Sequence, residues 1–266
     1  CTRVDRKNNN TPVLKDSEID SLAETIISDY RPSLLKEPGR IDCFHFLEFY
    51  LGANVEFQDI YYDDNRPVLG ATAFGSGYLK VFDRERLCAK SIEVDDRTVI
   101  IDNSVMKRGK EGMALFTALH EAGHLWLHQG VYAGCGKQMP IFSMEKINPV
   151  VCCRRDSIES FGGKKRFHTG HQWREHQADY FASAVAMPKS TFIPFAGSLL
   201  QRAGIKEGRI MKGSDWKLDR YACLVMPGEI SKAYGVSKTA AYIKLKKFGF
   251  VVEQERFLTH TRLHTA

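Results

Sequence analysis

The stretch that most constrains this chain is Leu119-His120-Glu121-Ala122-Gly123-His124-Leu125. Two histidines stand four apart, with a glutamate directly after the first. Four residues is about one helical turn, so on a helix both imidazoles lie on one face. Two neutral imidazoles placed this way can grip one Zn²⁺. Glu121 then stands beside them as a proton acceptor for a water that the ion acidifies. The pattern therefore predicts a helix over 112–129. Leu115, Phe116, Leu119, Ala122, Leu125 and Trp126 give that helix an apolar stripe to bury. Ala122 and Gly123 leave room for the ion and for close helix packing, and Gly130 is expected to end the run. His128 lies one turn beyond His124, too far along an unbroken helix to share the ion. A hydrogen-bonding or surface role near the helix end is expected of it.

Two histidines leave a metal under-coordinated, so a third protein ligand must come from elsewhere. The segment from Trp173 to Ala182 supplies it. Ala178, Phe181, Ala182 and Val185 form its core stripe, and Pro188 closes it. Glu175 and Asp179 are four apart and share a side of that helix. One carboxylate can bind the ion while the other accepts the outer N–H of a ligand histidine, fixing its tautomer. Glu175 is read as the ligand and Asp179 as the orienter. His176 competes from the same helix but points about a quarter-turn away, at about 100° per residue. His168 and His171 precede the helix. These histidines and Tyr180 are candidates to contact substrate or a developing oxyanion.

Around this core the chain reads as a soluble α+β protein. Its 266 residues suit one large domain or a medium one with an appendage. No run approaches membrane-spanning length. The seven cysteines are scattered rather than framed for disulfides, which points to a reducing cytoplasm. A net charge of +6 permits nucleic acid or acidic partners and requires neither. Residues 1–17 are polar and read as a flexible arm. A helix capped by Ser17 or Asp20 runs to Tyr30, and another starts at Asp42 and stops at Gly52. Alternation predicts strands at 55–61, 68–74, 78–82 and 98–101. Such a sheet has an edge that can hold an extended peptide by backbone pairing. The long insert near 132–170 carries a strand-like 149–153 and is expected to form a flap or rim. After residue 194 come short helical pieces broken at Gly197, Gly204 and Gly208, and Pro227 starts a distinct unit. Within it, 229–250 has the pattern of a helix-turn-helix, with Gly235 at the turn and Ser237 as cap. Lys238, Lys244, Lys246 and Lys247 would face a nucleic-acid backbone or a partner protein. Residues 259–266 form a polar tail.

Three segments resemble the ImmA/IrrE family of metallopeptidases: 116–128 with its His-Glu-x-x-His, 175–188 with its Glu-His-Gln-Ala-Asp-Tyr-Phe-Ala and Met-Pro, and the Tyr-Gly-Val-Ser turn within 230–250. The resemblance spans about residues 18–252. It implies a mainly helical, zincin-like core over 18–194 with a small sheet. A helical region over 195–258 then carries the helix-turn-helix-like unit. His120 and His124 match the family's zinc histidines, Glu121 its catalytic glutamate and Glu175 its third ligand. Members act inside the cell on a specific repressor protein, often one with its own helix-turn-helix, and so relieve repression. The chain departs from the pattern in its long insert and in Ala-Met-Pro where Leu-Met-Pro is usual. Neither touches the ligands, but the insert can reshape the substrate groove. A different class of reading remains: a DNA-binding or protein-binding regulator whose zinc site is mainly structural.

Overall fold

The computed structural model describes residues 4–5, 11–62, 67–132, 150–154 and 169–253, with backbone alone for 4–5 and 151–154. A short ladder of β1 (Val4–Asp5) and β2 (Thr11–Pro12) leads into helix α1 (Asp16–Tyr30). A 3-10 turn (Pro32–Leu35) precedes α2 (Cys43–His45), which widens into a π turn (Phe46–Tyr50). Five strands follow: β3 (Asn54–Gln58), β4 (Val68–Ala73), β5 (Gly77–Asp83), β6 (Cys88–Val94) and β7 (Thr98–Asp102). Next come α3 (Glu111–Tyr132), β8 (Val150–Arg154), α4 (Gly170–Ala186) and α5 (Lys189–Arg202). The chain finishes with β9 (Ile210–Lys212), α6 (Trp216–Arg220), a π turn (Tyr221–Val225), α7 (Met226–Tyr234), α8 (Lys238–Lys247) and β10 (Val251–Glu253). The class is mixed α+β, and no described helix is long and apolar enough to cross a membrane.

The main sheet has the order β3-β7-β4-β8. β3 runs parallel to β7, while β4 is antiparallel to both β7 and β8. All six β4 residues are buried, as they must be in a strand covered on both faces. Leu69, Val99 and Ile101 join the helical core on one face. Ala71, Ala73 and Ile100 pack on the other face against Leu79, Val81 and Val94 of the β5–β6 hairpin. A register shift between Val68 and Gly70 turns Gly70 and Thr72 toward α3. Bulges commonly re-aim side chains in this way beside functional sites.

The strands expected at 68–74, 78–82 and 98–101 form. β6 was not predicted: most of Cys88–Val94 is exposed, so it lacks the buried alternation that marks a strand. Val150–Arg154, which overlaps the 149–153 stretch expected in a flap or rim, pairs with β4 as the outermost strand of the sheet among the described residues. α1 begins at Asp16, ahead of both predicted caps, and the Lys15 N–H donates to Glu18 Oε2 at 2.7 Å. Asp20 is instead buried and accepts from the Tyr180 hydroxyl at 2.9 Å. Asp42 caps α2 by accepting from the His45 N–H, and Gly52 ends the run at φ 63°. The arm expected over 1–17 is structured in its last part. Thr11 is buried, and its Oγ1 accepts from Arg174 at 2.9 Å.

The expected boundary after residue 194 falls inside α5, which runs through Pro194 and Gly197. Phe192, Leu199, Tyr234 and Leu245 share one buried core with Ile19, Leu119 and Phe181. Pro227 does not start a unit either, because the helical run from α6 to α7 passes through it. The π turn just ahead shifts the ladder that the proline ring would otherwise break. Gly235 makes the turn into α8 at φ 70°, and Ser237 Oγ accepts from the Ala240 N–H. The lysine face, however, is not a free cationic surface. Lys244 is 4 % exposed, donates to Ser183 O at 2.8 Å and lies over the Phe192 and Phe248 rings. Lys247 pairs with Asp16 and covers the Tyr180 ring at 3.9 Å. Lys246 pairs with Glu253 at 2.8 Å, and Lys238 is exposed. Long aliphatic stems let lysines serve as packing residues, which a charge count cannot reveal.

Burial pushes the Lys244 ammonium down to about 7, against the nearby Asp20 charge. The unfolded chain therefore holds more protons than the folded one between pH 7 and the ordinary lysine value. Folding stability rises with pH across that window, by about 1.4 kcal/mol per unit. Lys244→Met should gain most over the parent chain at pH 6, and the gain should shrink toward pH 10. Paired urea unfolding curves across that range check this.

Candidate metal centre

Helix α3 crosses α4 at a point with almost no side-chain bulk. A Cβ on Gly123 would stand 3.0 Å from Ala178 Cα and 3.2 Å from the Phe181 ring. That close approach sets the His120–His124 face of one helix against the Glu175–Asp179 face of the other. The α4 start is fixed by Thr169, whose side chain accepts from the Gln172 N–H. α3 continues past Gly130 to Tyr132. Trp126, expected in the buried stripe, is 44 % exposed and stacks on Tyr50.

His120 and His124 are fully buried, and their Nε2 atoms lie 3.0 Å apart. Glu175 Oε2 is 3.5 Å from His120 Nε2, and Glu175 Oε1 is 3.3 Å from His124 Nε2. A tetrahedral ion with bonds of about 2.0–2.1 Å has ligand–ligand edges of about 3.3 Å. Glu175 turns a different oxygen to each imidazole, and one donor atom from each of the three residues lies within 4.8 Å of the others, so the set can gather about a small divalent cation. The outer nitrogens are taken: His120 Nδ1 meets Asp179 Oδ1 at 2.8 Å, and His124 Nδ1 meets His128 Nδ1 at 2.9 Å. A carboxylate accepts only, so His120 carries its proton on Nδ1 and turns the Nε2 lone pair inward. His120, His124 and Glu175 are the one group of three or more such ligands among the described residues.

Glu121 reaches β4. Its Oε2 accepts from the Thr72 hydroxyl at 2.6 Å, while Oε1 is buried with no hydrogen-bond partner among the described residues. Gly70 makes the space: a Cβ there would lie 2.6 Å from Glu121 Oε1. Burial pushes the Glu121 carboxyl up to about 7, against the pull of His120 and Thr72. Burial also lowers His124 and, further, His128. It pushes Glu175 up, but the charge and hydrogen bonds of His124 and His120 outweigh it and hold this carboxyl well below the usual range. Asp179 is raised by burial against its bond from His120.

The other candidates divide. His171 is exposed, with Nε2 4.0 Å from Glu175 Oε1, at the solvent side of the cluster. His176 and Tyr180 turn to α1 instead: His176 Nε2 meets Asp16 Oδ1 at 3.1 Å, and Tyr180 binds Asp20. His168 lies outside the described residues. His128 is a hydrogen-bonding residue as expected, but in the interior rather than at the surface. Its Nε2 meets Gln177 Oε1 at 3.0 Å. Gly70, Thr72 and Gln177 were not anticipated. The first two carry no signal of their own, since only the strand register brings them to Glu121. Gln177 is two residues from Glu175 and could have been sought as a partner for a buried imidazole.

Gly70→Ala should drive Glu121 off Thr72 and cost about 1–3 kcal/mol, as overpacking does. Chemical denaturation of the metal-free protein measures it. Metal uptake by His120, His124 and Glu175 should survive. No family model matches the chain, and no curated protein matches it, so the chemistry of this centre rests on its own geometry.

Proposed function

We propose that the chain is a zinc-dependent endopeptidase of the ImmA/IrrE kind. It would cleave a specific intracellular transcriptional repressor and so relieve repression. The observation that carries the reading is Glu121: one oxygen is held by Thr72 and the other has no hydrogen-bond partner among the described residues, on the residue next to His120 of the three-donor group. His120, His124 and Glu175 would hold the ion, which supplies Lewis acidity toward water and a peptide carbonyl when bound. Glu121 Oε1 would take the proton of the attacking water and return it to the leaving amine. A carboxyl within reach of that water can serve both transfers. Thr72 holds the carboxylate in place during them. Strand β4 carries Thr72 and is flanked by β8, the edge of the sheet among the described residues, and an extended substrate segment would pair along such an edge.

The regulator reading, with a closed structural zinc, has less support. A structural site takes four protein ligands, and three converge here among the described residues. Three of the four lysines proposed for DNA are bonded within the chain. Co-incubation with repressors encoded near its gene, read by mass spectrometry, tests the main reading. Glu121→Gln should keep its zinc and lose about 10²–10⁴-fold in cleavage rate. Full cleavage by that variant would sink the mechanism. Specific duplex DNA binding that survives replacement of His120 and His124 would favour the regulator.

A further inference from the structure

His124 has no carboxylate behind it. Its outer nitrogen meets His128, a residue with two possible tautomers, so nothing local decides which nitrogen of His124 is free for metal. The decision is made three groups away. Gln177 Nε2 donates to the Pro12 carbonyl at 2.7 Å, and a carbonyl can only accept. The amide of Gln177 therefore cannot flip without setting oxygen against oxygen. Its Oε1 must face His128 Nε2, at 3.0 Å. That nitrogen must then carry the proton, which leaves His128 Nδ1 as an acceptor. His124 Nδ1, 2.9 Å away, must donate to it, and His124 Nε2 is left with the lone pair that a metal needs. His124, His128 and Gln177 are each fully buried, so water does not compete for these bonds.

We propose that the Pro12 carbonyl, acting through Gln177 and His128, sets the metal-binding tautomer of His124. Gln177 and His128 are thus positioning residues of the metal centre, and strand β2 is part of it. Two further bonds from α4 hold the strand in place: Trp173 Nε1 also donates to the Pro12 carbonyl at 3.3 Å, and Arg174 donates to Thr11 Oγ1 at 2.9 Å. The proposal rests on the reading of His120, His124 and Glu175 as metal ligands.

The test uses the full chain and zinc alone, with affinity from competition against a chromophoric chelator and geometry from the visible spectrum of the cobalt(II) form. Gln177→Leu and His128→Phe should each weaken zinc binding by about 10–100-fold, the usual cost of removing a group that orients a ligand. The double variant should be little worse than either, because both break the same chain. Gln177→Glu discriminates. Its carboxylate still accepts from His128 but repels the Pro12 carbonyl, so it should keep parental zinc affinity and cobalt spectrum while losing metal-free stability. Zinc binding by this variant as weak as that of Gln177→Leu would mean that an acceptor facing His128 is not what the centre needs, and that result overturns the proposal, as does parental affinity in Gln177→Leu. So does parental affinity in a folded His128→Phe. Should that variant not fold, the two Gln177 variants decide. A parent chain that takes up no zinc is a separate result, and it refutes the metal reading itself.

Discussion

The close crossing of α3 and α4 is the constraint on which the centre depends. Imidazole and carboxylate side chains of different length must meet at edges of about 3.3 Å. They can do so only if their backbones approach within about one small residue. Gly123 against Ala178 permits this, since even a methyl group at 123 would press on the facing backbone. The crossing also spends one face of each helix on ligands, leaving the remaining faces to find apolar cover. α3 gets its cover from β4, β7 and α2, and α4 from α1. The sheet and α1 are therefore parts of the centre's support as well as of the core.

A second theme is the number of ionisable groups held inside. Bare buried charge is costly, and each such group has a designated partner. Asp20 takes the Tyr180 hydroxyl and Lys244 donates to the Ser183 carbonyl, while the partly exposed Asp16 takes His176 and Lys247. These bonds join α1, α4 and α8 into one assembly behind the ligands. Glu121 and Asp20 are each satisfied at one oxygen only, the other being buried with no hydrogen-bond partner among the described residues. An unpaired buried acceptor costs about 1–3 kcal/mol. Of these two half-satisfied carboxylates, Glu121 is the one adjacent in the chain to a residue of the donor set, where a proton acceptor is useful.

Much of this was legible in the sequence, for specific reasons. His120, His124, Glu175 and Asp179 could be read because helical spacing alone puts each pair on one face. Pairing two helices needs no knowledge of the sheet. The ends of α2, the turn at Gly235 and the cap at Ser237 were legible because their chemistry is local. What escaped depends on contacts between distant segments. Thr72 and Gly70 reach Glu121 only through the β4 bulge. His176 and Tyr180 sit on the ligand helix, yet helical phase turns them to α1. The lysines of α8 looked like a nucleic-acid face because composition records charge and not direction, whereas Lys244 points inward. The boundary near 194 was drawn at a proline that α5 in fact accommodates.

The parts of the centre come from four separated stretches: 11–12, 70–72, 120–128 and 175–179. No two of these are held together by local structure. An unfolded chain thus has no preformed site, and affinity for an ion must come with the folding that gathers them. The acceptors are of two kinds. Asp179 is itself helical and fixes His120 from within the α3–α4 pair. His124 is fixed through Gln177 by a carbonyl on a strand that reaches α4 from the start of the chain. The two ligand histidines look equivalent in the motif but differ in what sustains them. Loss of the β2 contact leaves His120 ready for metal and releases His124. A loosened strand then lowers affinity without removing any ligand, which makes the docking of residues 11–12 the most economical point at which this centre can be weakened.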